Sequence, residues 1–491
     1  MSNSEPGNSS TAHESEDLQE LELSEGTLRE MVDGAMERIL DHLRTLPQQP
    51  MSYTEGAAEL ARSLREDLPE TGQPYSELLE LIFDRCLSLS FNAASPGYLA
   101  YIPGGGLPHA AVADLIADSV NRYIGVFLAV PGLVQLEINV TRWLCQMVGY
   151  PDSSQGLLTT GGSMANFTGI YTARRERLPE DFLNGTLYCS DQVHHSMTKA
   201  AMMAGFPQSN IRTVSSDEHY RMPLGDLCEM IRRDRARGMH PFLVVGSAGT
   251  VNTGTIDDLS TLAVIAAEED LWFHVDGAYG AFFVLTERGK SAFVGIERAD
   301  SISLDPHKGL FLPYGTGCLV VRDGAALKRA HHVSADYMPP IQEDPDLIDF
   351  SEYSPELSRD FRGLRVWLPI KMHGIGTFRR ALDEKLDLAE WACGELEKID
   401  HIEIVARPEL SIVVFRLAPE GLHTDALNEL NRGLRDRINA KQNVFLTPTT
   451  LDGRYVIRIC VLNFRTHLDR MEQCLEDIRL SVDEVRSAFT K

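Results

Sequence analysis

Apolar positions along the chain change their period more than once. Over residues 25–90 they recur at helical spacing: Leu28, Met31, Met36, Ile39, Leu40 and Leu43 share one face, and 76–89 continues the pattern. A glycine-rich stretch follows, from Asn92 through Tyr101, Pro103, Gly104, Gly105 and Gly106. Such density marks a turn or a ligand wall. From about 155 to 325, short apolar runs alternate with amphipathic ones. Strands are expected at 186–190, 242–247, 271–275, 301–304 and 317–322, with helices between them, for example at 257–268. This alternation predicts an α/β fold with a mainly parallel sheet covered on both faces. Ligands on such sheets bind at the carboxyl ends of the strands.

Residues 334–360 lose periodicity and carry Pro339, Pro340, Pro345 and Pro355. A polar segment of that length is expected to be a mobile lid. One long helix is expected over 362–398. Strands at 411–416 and 455–461, with helices near 425–440 and 468–489, then form a small α+β domain. The expected organisation is an acidic tail (1–24), an N-terminal helical segment (25–100), a large domain (101–375) and a small C-terminal domain (376–491).

Composition narrows the function. With 491 residues, 43% of them hydrophobic, the chain can build a large core and more than one domain. A net charge of −25 argues against nucleic-acid binding and against docking on an anionic membrane. No apolar run reaches the ~18 residues a transmembrane helix needs. The first twenty residues are rich in Ser, Glu and Asn, lack an apolar signal core and read as disordered. Cys86, Cys145, Cys189, Cys228, Cys318, Cys393, Cys460 and Cys474 are scattered without metal-like spacing. Reduced thiols in a cytoplasmic protein, with no bound metal, are expected.

Four segments carry candidate chemistry. In Thr159-Thr160-Gly161-Gly162-Ser163-Met164-Ala165-Asn166, two glycines end an irregular stretch and a helix begins. Free N–H groups and the Ser163 hydroxyl could cradle a phosphate there; an ordinary serine cap is the alternative. Ser190-Asp191-Gln192-Val193-His194-His195-Ser196 follows a strand. An imidazole there could lie on a planar ring and meet a substrate carboxylate, or could simply cap a helix. His274-Val275-Asp276-Gly277-Ala278-Tyr279-Gly280 places a carboxylate at one strand end, and small residues after it let a flat group approach. Asp305-Pro306-His307-Lys308-Gly309 places a lysine after another strand. One lysine and one aspartate at the same sheet edge suit pyridoxal phosphate (PLP). The lysine holds the aldehyde as a Schiff base, and the aspartate keeps the pyridinium protonated.

Taken together, residues 160–166, 190–196, 274–280, 305–308, Ser-Pro-Glu-Leu-Ser-Arg at 354–359 and Leu-Asn-Phe-Arg-Thr at 462–466 resemble the PLP-dependent group II amino-acid decarboxylases of fold type I. These include aromatic-L-amino-acid, glutamate and histidine decarboxylases. The resemblance spans about 90–465 and implies a homodimer with active sites at its interface. It implies that Lys308 binds the cofactor, that Asp276 pairs with its ring nitrogen, and that His194 and Ala278 cover its two faces. Gly162 and Ser163 would hold the phosphate, with Asp305 and Thr250 among the cofactor contacts. His307 matches the histidine beside the lysine, and Tyr101, Pro103 and Gly104 would line the substrate pocket.

The chain departs from the family pattern at Val251, at Gly309 and at Phe350. The resemblance sets Phe350 where a loop tyrosine returns a proton to the substrate carbon after CO₂ leaves. Tyr353, three residues on, would have to replace it. The expected activity is decarboxylation of an L-amino acid to its amine. The alternative is a decarboxylating oxidative deaminase that forms an aldehyde, and a transaminase or desulfurase is a more distant one. Gly104 and Gly105, read as room in the pocket, favour a bulky or aromatic substrate side chain.

Overall fold

The computed structural model describes residues 21–333, 344 and 347–489. The expected tail therefore falls, up to residue 20, outside the described residues, as does the expected lid at 334–343, 345 and 346. The chain forms two compact units, one up to Asn92 and one from Ala93 onward. The first is helical. Its main element, α1 (Glu25–Thr45), is capped by Ser24, whose hydroxyl oxygen accepts from Thr27 N.

The second unit holds two sheets. The larger contains β1 (Gln155–Thr159), β2 (Gly185–Ser190), β3 (Ile211–Val214), β4 (His240–Ser247), β5 (Trp272–Asp276), β6 (Ser301–Leu304) and β7 (Gly317–Val321). Its order is β1-β7-β6-β5-β4-β2-β3, and only β7 runs against the rest. The mainly parallel α/β sheet expected from the alternation is present. Strands β1, β2, β5, β6 and β7 are buried along their whole length, which explains their continuous apolar runs. β1 corrects the expectation of an irregular stretch before Gly161.

Helices α2 (Pro108–Val120), α3 (Pro131–Met147), α4 (Gly162–Arg177) and α5 (Ser196–Met203) precede or flank these strands. The helix expected over 362–398 is two, α6 (Gly363–His373) and α7 (Ile375–Leu396). Gly374 between them has φ +68°, a conformation that ends a helix. The second sheet, β8 (Ile402–Ala406), β9 (Ile412–Leu417), β10 (Thr447–Leu451) and β11 (Arg454–Cys460), is antiparallel in the order β10-β11-β9-β8. Residues 424–440 and 468–489 form helices with it. Among the described residues no helix is long and apolar enough to cross a membrane, and no group of three or more candidate ligands could hold a metal.

Candidate active site

The larger sheet delivers its functional side chains to one edge. The register sets Ser247 of β4 beside Asp276 of β5, and Asp276 beside Ser303 of β6. β6 ends at Leu304, and a single helical turn, Pro306–Gly309, follows directly. That turn presents His307 and Lys308 to a cavity of about 310 Å³. The N-terminus of α4 closes another side through Thr160, Gly161, Gly162, Ser163 and Met164. Nine of the residues expected at the site line this cavity: Gly162, Ser163, His194, Thr250, Asp276, Ala278, Asp305, His307 and Lys308.

Charges in the cavity are held by short contacts. Lys308 Nζ lies 2.9 Å from Asp305 Oδ2, and both residues are largely buried. The other oxygen of Asp305 is buried without a hydrogen-bond partner. Asp276 Oδ1 accepts from Ala278 N at 3.2 Å and from Ser303 Oγ at 3.3 Å. Its Oδ2 accepts from Asn166 Nδ2 at 3.4 Å. His307 Nδ1 lies 2.8 Å from the Thr316 carbonyl, to which it donates. Burial pushes the His194 imidazole below its ordinary pKa, against the opposing pull of Asp276. The Thr250, Thr253 and Thr255 hydroxyls form a chain with 2.8 Å links.

These residues fit PLP on three physical counts. Met164 N and Ala165 N both turn back to Gly161 O, while Gly162 N and Ser163 N, at the first turn of α4, have no helical acceptor. Such free N–H groups at a helix N-terminus, on the cavity wall, suit an anion. A Cβ at Gly162 would sit 2.9 Å from Asp305 Oδ2 and 3.1 Å from the Ala278 methyl, so only glycine leaves this wall open. The cavity volume lies at the small end of the ~300–1,000 Å³ range of ligand pockets.

Other expected site residues lie elsewhere. Phe350 is wholly buried in an apolar cluster with Ile138, Leu157, Ile348 and Phe361. The Arg359 guanidinium lies over its ring, 5.0 Å from the centroid. Tyr353 is half-buried and packs against that cluster and its neighbour. Neither lines the cavity. In the described part of the expected lid, Ile348, Phe350, Glu352, Ser354 and Arg359 are buried, while Pro355, Leu357, Ser358 and Asp360 are exposed. The proton-donor role read for Tyr353 and the aldehyde argument from Phe350 both need these residues at the cavity, and this structure does not bring them there.

Tyr101, Pro103 and Gly104 do not line the cavity either. Tyr101 is exposed with φ +54°. Gly104 and Gly105 are not spare room: a Cβ at Gly104 would come 2.0 Å from His307 O, and one at Gly105 would come 2.3 Å from Asn463 Oδ1. Their bareness lets the chain pass close to the turn that carries Lys308.

The sequence reasoning missed Asn166, Ser196, His274, Ser247 and Tyr279. Asn166, Ser196, Ser247, Val251 and Tyr279 line the cavity. His274 is fully buried behind it and donates or accepts through both ring nitrogens, 2.8 Å from Ser301 Oγ and 3.1 Å from Asn166 Oδ1. Asn166 was discoverable: an amide in the middle of a helix is unfavourable unless it is bonded.

Comparison with known proteins identifies the family. Residues 58–418 match the pyridoxal-dependent decarboxylase conserved domain. Over 471 residues the chain is 37% identical to an aromatic-L-amino-acid decarboxylase from Bacillus atrophaeus, covering 96% of this chain and 98% of that protein. Its fold superposes on Oryza sativa TDC crystallised with PLP and tryptamine, with a TM-score of 0.90 at 24% identity, covering 94% and 99% of the two chains. It superposes equally widely on Rhodiola rosea 4-hydroxyphenylacetaldehyde synthase, with a TM-score of 0.87 at 23% identity. The chain belongs to the pyridoxal-dependent decarboxylase family. It is an amino-acid carboxy-lyase, and its cofactor is PLP.

Proposed function

We propose that the protein decarboxylates an aromatic L-amino acid to the corresponding amine. The observation that carries this reading is the convergence of Lys308, Asp276, His194 and the α4 N-terminus on one cavity, together with 37% identity across 96% of the chain to an aromatic-L-amino-acid decarboxylase. The PLP, when bound, supplies a sink for the electron pair left as CO₂ departs. Lys308 would hold its aldehyde carbon, and Gly162 N, Ser163 N and the Ser163 hydroxyl its phosphate. The Asp276 carboxylate would keep the ring nitrogen protonated, with Asn166 and Ser303 fixing the carboxylate's orientation. His194 and Ala278 would cover the two ring faces, and Thr250 and Asp305 would make further polar contacts.

The other residues position the substrate and manage protons. His307 donates through Nδ1 to Thr316 O, which leaves a lone pair on Nε2 to take up or return a proton. Val251 gives the cavity an apolar wall, and among the described residues no arginine lines it to pair with a second carboxylate. That lining favours an uncharged side chain over an acidic one. The fold is shared with an aldehyde synthase, so product is a separate question. The amine reading rests on the relative's activity, because Phe350 stands outside the cavity.

We also propose a cytoplasmic homodimer. Val112, Leu115, Ile116 and Val120 expose their side chains at i, i+3, i+4 and i+8 along α2, an apolar stripe suited to a second copy. All eight cysteines are unpaired, as a reducing compartment requires.

The test is a screen of the twenty amino acids with CO₂, amine, aldehyde and oxygen uptake measured together. Amine and CO₂ in equal amounts from an aromatic substrate, without oxygen uptake, are expected. Stoichiometric oxygen uptake with aldehyde would overturn the amine reading. Turnover of glutamate alone would overturn the substrate class.

A further inference from the structure

A continuous hydrogen-bonded chain runs behind the cavity from β5 to His194. Trp272 Nε1 donates to Ser301 Oγ at 2.8 Å. Ser301 Oγ lies 2.8 Å from His274 Nδ1, and His274 Nε2 lies 3.1 Å from Asn166 Oδ1. Asn166 Nδ2 donates to Ser196 Oγ at 3.1 Å, and Ser196 Oγ lies 2.7 Å from His194 Nδ1. Every member before His194 is at least 95% buried. Ser301 and His274, with no exposed surface, cannot exchange their partners for water.

The direction of each bond is determined from the ends. An indole N–H only donates, so the Ser301 oxygen accepts from Trp272 and its hydroxyl hydrogen is free for His274 Nδ1. Asp276, as a carboxylate, only accepts, so the amide nitrogen of Asn166 faces it at 3.4 Å. The Asn166 oxygen therefore faces His274, whose Nε2 must carry the proton. Burial pushes the His274 pKa down to about 4, which leaves its Nδ1 free to accept from Ser301. On the other side, the second amide hydrogen of Asn166 fills one acceptor site on Ser196 Oγ. The Ser196 hydroxyl hydrogen then points to His194 Nδ1. The Ser196 backbone N–H, 3.3 Å from the same nitrogen, agrees with that assignment.

We propose that this relay holds His194 in the single tautomer protonated at Nε2, so that the ring meets the substrate carboxylate as a hydrogen-bond donor. The inference rests on the reading of His194 as the residue facing that carboxylate. Asn166, Ser196, His274, Ser301 and Trp272 are then positioning residues: they act on the reaction through one proton on another side chain. The relay also couples the two ends of the site. The Asn166 amide that orients the Asp276 carboxylate is the group that directs the Ser196 hydroxyl.

The test uses the PLP-loaded full chain with ¹⁵N-labelled histidine, His194 being assigned by the signals lost in His194→Gln. The expected spectrum has His194 protonated at Nε2 and bare at Nδ1. In Asn166→Asp the new carboxylate accepts from the Ser196 hydroxyl, so the His194 Nδ1 signal is expected to shift as it loses its short donor. Ser196→Ala should shift the same signal and Ser196→Thr should restore it, which gives a second route if Asn166→Asp does not fold. A wild-type proton on Nδ1, or a His194 signal indifferent to both Asn166→Asp and Ser196→Ala, would overturn the relay. CO₂ release from the same samples separates the two readings. A fixed Nε2–H tautomer in a protein that decarboxylates no amino acid would leave the relay standing and refute the activity.

Discussion

Arg359 and Glu137 form an ion pair from which water is excluded on both sides, each side chain having no exposed surface. Glu137 on α3 also accepts from Gly363 N at 3.1 Å, and Arg359 Nη2 donates to Leu158 O at 3.1 Å on β1. One carboxylate thus ties the segment before α6 to α3 and, through Arg359, to the strand that leads into the phosphate-facing turn. Removing one partner leaves the other charge buried. Glu137→Ala is expected to cost about 3–5 kcal/mol. Denaturant unfolding followed by tryptophan fluorescence measures this. A loss below about 1 kcal/mol would show that the pair is hydrated in solution.

Phe350 lies beneath the same guanidinium. Phe350→Tyr puts a hydroxyl into an apolar cluster and is expected to lower stability by roughly 1–3 kcal/mol. The folded variant should keep the wild-type ratio of amine to aldehyde, because the ring does not reach the cavity. Product analysis with an oxygen electrode decides the point. A change in that ratio would mean that the segment leaves its cluster during turnover.

Burial of His274 couples stability to pH. Its folded pKa of about 4 lies below the ordinary 6.5, so the unfolded chain binds the extra proton. Stability from this group is complete above about pH 6.5 and falls as pH drops toward 4. The limit is roughly 3 kcal/mol, at 1.36 kcal/mol per unit. His331, likewise lowered to about 4 by burial, adds to the same window. His274→Gln should flatten the melting-temperature profile between pH 7 and 5 relative to wild type. A slope in the variant as steep as wild type's would remove His274 as its source.

Asp276→Asn should leave the fold and the cofactor linkage intact while reducing turnover at least a hundredfold, the effect of roughly 3 kcal/mol on the barrier. Visible absorption reports the bound cofactor, and steady-state CO₂ release reports the rate. A rate within a few-fold of wild type would contradict the pairing assigned to Asp276.

Much of this was legible before any coordinates. β6 occupies 301–304 as expected, and β2, β4 and β5 lie within two residues of their expected bounds, because buried parallel strands are continuous apolar runs between polar breaks. Asp276 and Lys308 stood out because each follows such a run. β1 was obscured by its Gln155-Gly156 start and the Thr159-Thr160-Gly161-Gly162 end, which read as a loop. The packing of Phe350 is set non-locally, by Arg359, Ile138 and Leu157, which no pattern around residue 350 reveals. Gly104 and Gly105 look like spare room in one dimension, and only the backbone of His307 and the side chain of Asn463 show them to be tight packing. The relay through Asn166 joins four elements, α4, α5, β5 and β6, and leaves no spacing to read.

The central assignment is that Lys308 carries the cofactor. Borohydride reduction of the purified, PLP-loaded protein, followed by proteolysis and mass spectrometry, tests it directly. The reduced pyridoxyl group should appear on the peptide that contains Lys308 and on no other, and Lys308→Ala should yield no labelled peptide. A pyridoxyl group on another lysine, or labelling that survives Lys308→Ala, would contradict the assignment and the site built around it.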